Sequence, residues 1–331
     1  MARHPRDLAL LLCLLGAVTQ SRSATIHLPT GSATTPLEEV SVEDAHAKFP
    51  QIPFGNFPDY PKQPDEAGRW HGQAFQDRLI ILLLQKRGGF FLDLAANEPV
   101  FLSNTRALER DFGWNGVCIE ANPYYWQALA TGRRCKVVGA AMSERRGKLK
   151  FRTAKGGGRG ANRVGGIVGK GMDNEGACRF KSNCIDFEAT SLPLSDALPA
   201  LGVPQRIDYF SLDIEGAEYL AMRSFPWNTH RFTVLTVERP KERLEMLLKD
   251  NKYTYLCDNG SFGDQMWVDM TFLNSTAVGA LDIEKGPTKS GNANSMRCDM
   301  RLYDTIGQTK LNEKVQYLRE LQVQGASAKE N

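Results

Sequence analysis

Apolar and polar positions alternate along the middle of the chain in a repeating way. A short apolar run stops at an acid, and a stretch with helical spacing follows. Phe90-Phe91-Leu92 stops at Asp93, Gly116-Val-Cys-Ile at Glu120, Ile207 to Leu212 at Asp213, and Phe232 to Val237 at Glu238. Lys136 to Met142 is a fifth run, carried by Val137, Val138 and Ala140, and Leu149 to Arg152 is a short extra strand. Runs of this length without alternation predict strands buried on both faces.

Helical spacing lies between them. Phe75, Leu79, Leu82 and Leu83 make one apolar face up to Lys86, and Phe101, Thr105, Leu108 and Phe112 make another. Asn122 is a candidate N-cap with Pro123 behind it and Gly132 at the stop. Leu192 to Leu201, the segment after Asp213 to about Phe225, and Glu242 to Leu248 complete the set, and Tyr253 to Cys257 and Met270 to Leu273 read as a final strand pair around the turn-rich Asp258 to Gly263. Strands alternating with helices predict an α/β fold with a doubly wound, mostly parallel, Rossmann-like sheet.

The ends carry a different pattern. Arg3, His4 and Arg6 precede the apolar run Leu8 to Val18, and Ser21-Arg22-Ser23 offers small residues for cleavage. Residues 1–23 therefore read as a secretory signal peptide, the run being too short to span a bilayer. Pro29, Pro36, Pro50, Pro53, Pro58, Pro61 and Pro64 mark residues 24–70 as an extended stalk or surface wrap. The domain is expected over 71–282, and 283–331 as a polar extension with one helix at Leu311 to Leu321. Both extensions are expected to be largely irregular.

The candidate chemistry lies at the ends of the runs. In an open α/β sheet ligands bind at the carboxyl rim of the strands, where Asp93, Glu120, Asp213 and Glu238 all fall. After Asp93 comes a turn of small residues, Ala95-Ala96-Asn97, which lets a ligand approach the backbone. Glu120, at the end of the next strand, can accept hydrogen bonds from both ribose hydroxyls of an adenosine group. A dinucleotide would want G-x-G-x-x-G, and this turn has no glycine. That favours a ligand without a pyrophosphate, such as S-adenosyl-L-methionine. Asp213 and Glu215 are the densest acid pair; they also precede a helix, whose positive end favours carboxylates in any case. Asp213 is the expected general base, with Glu215 or Glu238 orienting it, and His230 is the other candidate base.

Asp93-Leu-Ala-Ala-Asn97, Cys118-Ile-Glu120 and Ser211-Leu-Asp-Ile-Glu-Gly-Ala-Glu218 resemble the FkbM family of class I S-adenosylmethionine-dependent methyltransferases, over roughly Gly72 to Leu273. The resemblance implies the class I sheet with an antiparallel final strand, and O-methylation of a hydroxyl on a sugar or natural product. It also implies that Asp93 and the turn Ala95, Ala96, Asn97 line the methionine part of the cofactor, that Glu120 holds the ribose, and that Asp213 and Glu215 lie beside the transferred methyl. Asn122 beside Glu120 and Glu238 on the same rim join the candidate cofactor and catalytic residues. The family's loop usually has a glycine where this chain has Ala95. Either the backbone there stays in an ordinary basin, or the cofactor's approach is compromised. The alternative function is a catalytically inactive domain of the same fold, acting as a lumenal binding or trafficking module.

Composition adds compartment and partners. With 331 residues and 42% of them hydrophobic, the chain can bury one substantial core. Cys118, Cys135, Cys178, Cys184, Cys257 and Cys298 remain after the signal, an even count that suits a disulfide-permissive lumen. Cys178 could pair with Cys184 and Cys257 with Cys298, while Cys118 reads as a buried thiol. No Cys-x-x-Cys is present and no metal site is expected. Sequons at Asn259 and Asn274 suit a secreted, Golgi or endoplasmic reticulum glycoprotein.

Residues 155–171 hold eight glycines inside a basic stretch, Arg145, Arg146, Lys148, Lys150, Arg152, Lys155, Arg159, Arg163 and Lys170, against Glu144 alone. This reads as a solvated loop or as a lid over an anionic acceptor. The expected partner is a hydroxyl-bearing small molecule or glycan, anionic in the lid reading, with no nucleic acid and no stable membrane span.

Overall fold

The computed structural model describes residues 24–55, 57, 70–84, 86–155, 165–173, 184–259, 263–269 and 271, together with the backbone of 284–285 and 296–297. The central strands are β3 (Phe90–Leu94), β4 (Asn115–Ile119), β5 (Lys136–Val138), β10 (Arg206–Leu212) and β11 (Arg231–Val237). They pair in parallel in the order β11-β10-β3-β4-β5. Chain order reverses at β3, which has β4 on one side and β10 on the other. A crevice opens at such a switch point.

Successive side chains show why these runs carry no polar face. Phe91, Cys118, Tyr209, Val234 and Met266 enter one apolar cluster, and their neighbours Leu92, Val117, Phe210, Leu235 and Trp267 enter another. Period-2 alternation between two cores favours apolar residues on both faces, and polar ones here such as Asp208, Ser211, Thr233 and Thr236 are buried as well. Helices α2 (Gln76–Leu84), α3 (Arg106–Phe112) and α4 (Trp126–Gly132) add Leu79, Leu108 and Leu129 to the first core. Helices α5 (Leu194–Leu201), α6 (Glu218–Met222) and α7 (Glu242–Asp250) add Leu198, Met222 and Leu244 to the second. At Gly116 a Cβ would come within 2.4 Å of the Phe91 ring, so only glycine lets β4 approach β3 here.

Several elements differ from the sequence reading. Residues 25–46 are not a loose wrap: β1 (Thr25–Pro29) pairs in parallel with β5, and β2 (Leu37–Ser41) pairs antiparallel with β1. Ile26 and Leu28 are buried there, as are Val42 and Ala45 of α1 (Val42–His46). Their apolar spacing is too brief to stand out among the prolines. The last pair is also displaced. β12 (Thr254–Asn259) pairs with β13 (Asp264–Val268), which directly follows the turn and precedes the expected Met270 to Leu273, and β13 lies antiparallel to β11.

A second, four-stranded sheet is made by β6 (Ala141–Met142), β7 (Gly147–Ala154), β8 (Gly166–Ile167) and β9 (Cys184–Leu192), in the order β6-β9-β7-β8. β7 is longer than the short strand expected, and β9 was not expected at all. Two-residue segments β14 (Glu284–Lys285) and β15 (Met296–Arg297) close the far edge of the main sheet.

Cys118 is not a free thiol. β4 and β5 are parallel neighbours with Cys118 opposite Val137, so the chain entering β5 brings Cys135 alongside, and the two form a disulfide with Cα atoms 6.1 Å apart. Cys184 and Cys257 are disulfide-bonded too. Their expected partners, Cys178 and Cys298, lie outside the described residues, as do the signal segment, the Asn274 sequon and the Leu311–Leu321 helix. The Asn259 sequon is closed in the folded chain, because that side chain is fully buried. No described helix is long and apolar enough to cross a membrane.

Candidate active site

Parallel register assembles the site. Leu94 pairs with both Ile119 and Leu212, and Leu212 with Val237, so the residues that follow, Ala95, Glu120, Asp213 and Glu238, leave the sheet at one level. Asp93 stands one position earlier, opposite Ser211 and Cys118. These residues open onto one cavity of about 510 Å³, lined also by Ala96, Asn97, Asn122 and Glu215. All nine residues proposed from the sequence therefore share one wall system. The volume lies in the range of small-molecule sites.

At the β3–β4 end, a buried chain of polar groups holds the acid of β3. Thr105 donates its hydroxyl to Asp93 Oδ2 at 2.6 Å and accepts from Arg133 Nη2 at 2.8 Å. Arg133 also donates to Ser103 Oγ at 3.1 Å and to Glu109 Oε2 at 3.3 Å. Burial pushes the Asp93 carboxyl up, against the Thr105 bond and the Arg133 charge.

Glu120 Oε2 accepts the Asn97 N–H at 2.9 Å and Oε1 the Asn122 N–H at 2.7 Å, which ties the small-residue turn to the end of β4. Burial raises this carboxyl to about 7. Asn122 caps the turn Pro123–Tyr125 through the Tyr124 N–H, and its amide donates to Thr153 of β7, so its side chain serves the frame. Ala95 has φ 59 and Asn97 φ 55. Of the two alternatives for Ala95, the ordinary backbone basin is thus excluded.

The β10–β11 end is acidic. Asp213, Glu215 and Glu238 each bring a carboxylate oxygen within 4.8 Å of the others. Burial, and next the neighbouring Glu238, push the Asp213 carboxyl well up. Burial likewise raises Glu215 to about 7 and Asp264, at the start of β13, to about 7. Glu215 is at φ 57 and Gly216 at φ 95, and a Cβ on Gly216 would meet the Asp173 backbone nitrogen at 2.7 Å. Glu218 stands behind this turn and accepts the Ile214 and Gly216 N–H groups at 3.1 and 3.0 Å, so it braces the loop. Arg239 binds Glu215 at 3.3 Å and also Glu238.

Some members of the site carry little signal in the sequence. Asp264, Asp173, Arg239 and Asn104 line the cavity, and Asn104 donates to Ser211 Oγ at 3.0 Å. Ser211 and Arg239 could have been found as neighbours of Asp213 and Glu238. Asp264 and Asp173 could not, since both come from segments that read as loop. Phe151, Gly166 and Ile167 bring the second sheet to the cavity. His230 is not part of the site. It precedes β11 at the opposite end of the sheet, buried, with its ring on Thr229 and the Val203 carbonyl.

A large, mostly parallel α/β sheet with acids and a small-residue turn around a rim cavity is compatible with a Rossmann-like methyltransferase. Residues 93–256 match the family described as the methyltransferase FkbM domain. The chain thus carries a domain of the FkbM methyltransferase family. No curated protein gives a significant match to it.

Proposed function

We propose that the protein is an S-adenosyl-L-methionine-dependent O-methyltransferase acting on a hydroxyl of a glycan or another secretory-pathway acceptor. The observation that carries this reading is one cavity with an adenosine-type wall at one end and a carboxylate cluster at the other. The residues fit the cofactor. Each Glu120 oxygen takes one backbone N–H and keeps a lone pair for a ribose hydroxyl, and Asn97 Oδ1 is buried without a partner. Asp93, the turn 95–97 and Glu120 would hold it. The bound sulfonium supplies an already activated methyl group.

The chain's own work is orientation and proton transfer. Holding an acceptor oxygen in line can contribute about 7–11 kcal/mol. Asp213 takes the hydroxyl proton, its proton affinity raised by burial and by the neighbouring Glu238. Glu238 and Glu215 orient it. Phe151 and Ile167 give that side of the cavity an apolar wall. The disulfide and the bonded Cys184 and Cys257 support an oxidising compartment.

The basic stretch supports an anionic acceptor only in part. Lys150 and Arg152 pair with Asp186, and Arg146 with Asp196. Arg159 and Arg163 lie outside the described residues.

An inactive binding module is the second reading, and Ala95 favours it. A left-handed alanine costs about 1–2 kcal/mol. Strain of this kind is kept where the surroundings enforce it, as at functional sites, and the cavity beside Ala95 is intact.

Calorimetry with S-adenosylhomocysteine, followed by labelled-methyl incorporation across a glycan panel, separates the two. Binding with turnover is expected, and Asp213→Asn should keep binding while turnover falls about 10²–10⁴-fold. No binding of S-adenosylhomocysteine would favour the module.

A further inference from the structure

The acid wall at the ends of β10 and β11 holds more than a base needs. Asp213, Glu215 and Glu238 present one oxygen each within a 4.8 Å span. Oxygen ligands lie about 2.0–2.6 Å from a Mg²⁺ or Ca²⁺ ion, so two on opposite sides of one ion stand about 4–5 Å apart. The three carboxylates are therefore spaced as ligands of a single ion. Asp213 and Glu238 directly follow two adjacent parallel strands paired in register, and the turn after β10 brings Glu215 beside them.

Arg239 sharpens the arrangement. It engages Oε1 of Glu238 and Oε2 of Glu215, orienting both groups while leaving the other oxygen of each to a further partner.

A separate observation points to a ligand. Asp264 reaches the same cavity from β13, is 8% exposed, and its buried Oδ1 has no hydrogen-bond partner. Buried Oδ1 and Oε atoms are normally satisfied, and leaving a buried acceptor bare costs about 1–3 kcal/mol. Glu238 Oε2 is bare in the same way. Two unpartnered carboxylate oxygens from different strands at one cavity end call for a donor or a cation.

We propose that Asp213, Glu215 and Glu238 bind one divalent, oxygen-preferring cation of the Mg²⁺ or Mn²⁺ class, with Asp264 as the additional carboxylate beside it. An all-carboxylate set, with no imidazole or thiolate, suits such ions. This deepens the methyltransferase reading and rests on it for its role. The cation would stand where the acceptor's hydroxyl binds, hold that oxygen and lower its proton affinity. It would also let several acids share one small space in ionised form.

Mn²⁺ titration of the full-length chain, followed by loss of the free-ion electron paramagnetic resonance signal, tests the site directly. One Mn²⁺ per chain is expected, displaced by Mg²⁺. Affinity should fall by about tenfold or more in Glu238→Gln and in Asp264→Asn. S-adenosylhomocysteine calorimetry on the same samples keeps the two readings apart.

Uptake of the homocysteine ligand without Mn²⁺ uptake up to roughly 5 mM would overturn the cation site alone. Equal Mn²⁺ binding by wild type and both variants would overturn it too, since the ion would then sit elsewhere. Mn²⁺ binding that is lost in the variants, with no binding of the homocysteine ligand, would keep the site and remove the methyltransferase role. Should either variant fail to fold, wild-type melting decides. A rise in Tm with Mn²⁺ but not with Na⁺ at equal ionic strength supports the site, and no difference overturns it.

Discussion

Replacing Arg133 by methionine removes the guanidinium on which the cofactor end of the cavity hangs. That side chain is fully buried, stacks over Phe91 with its carbon 5.7 Å from the ring centre, and donates to Ser103, Thr105 and Glu109. Methionine fills similar volume, so the main loss is electrostatic. Glu109 is left buried with Arg106 at 3.8 Å and the N–H groups of Arg134 and Cys135 as its remaining partners. Removing one partner of a buried ion pair costs about 3–5 kcal/mol. The two retained backbone bonds put the expectation near the lower end, about 3 kcal/mol, a large share of the roughly 5–15 kcal/mol that holds a domain together.

Urea unfolding with the disulfides intact measures that loss. The double variant Arg133→Met with Glu109→Gln should recover part of it, because no buried charge is then left unpaired. S-adenosylhomocysteine affinity should fall alongside, as Thr105 loses the donor that fixes it against Asp93. A stability loss under about 1 kcal/mol, or a double variant no better than the single one, would refute the account.

Three further outcomes follow from the geometry. Glu120 has its folded pKa raised from 4.5 to about 7 by burial, so the folded state holds a proton that the unfolded chain releases. Its contribution to stability is full below about pH 4.5 and is lost as pH rises through about 7. Binding that needs the carboxylate should strengthen over the same rise and release a proton near pH 6; calorimetry in buffers of different ionisation enthalpy counts it, and a pH-independent affinity would contradict the role. Opening the Cys118–Cys135 bridge by a paired serine substitution frees a loop of 17 residues, and chemical denaturation should show a loss of about 3 kcal/mol. Ala95→Gly should stabilise by about 0.5–1 kcal/mol, the relief of a left-handed alanine less the entropy of glycine, and a lower urea midpoint would show that the turn is not strained.

The strands of the parallel core were legible because each is buried on both faces. Phe90 to Asp93 or Ile207 to Asp213 needs no partner to announce itself, and an acid ending such a run must fall on the carboxyl rim. Burial of that kind is written locally, residue by residue, and the motifs around Asp93, Glu120 and Asp213 share that quality. What meets across the chain is not written locally. Asp264 joins Asp213 only because β13 runs back antiparallel beside β11, and Cys135 meets Cys118 only because β5 lies against β4. Arg133 reads as one more charge after a helix until folding encloses it with Glu109 and Thr105. Periodicity along the sequence says which face a residue turns inward; only the folded chain says what stands opposite, since that is set by strand order and register between segments far apart in number.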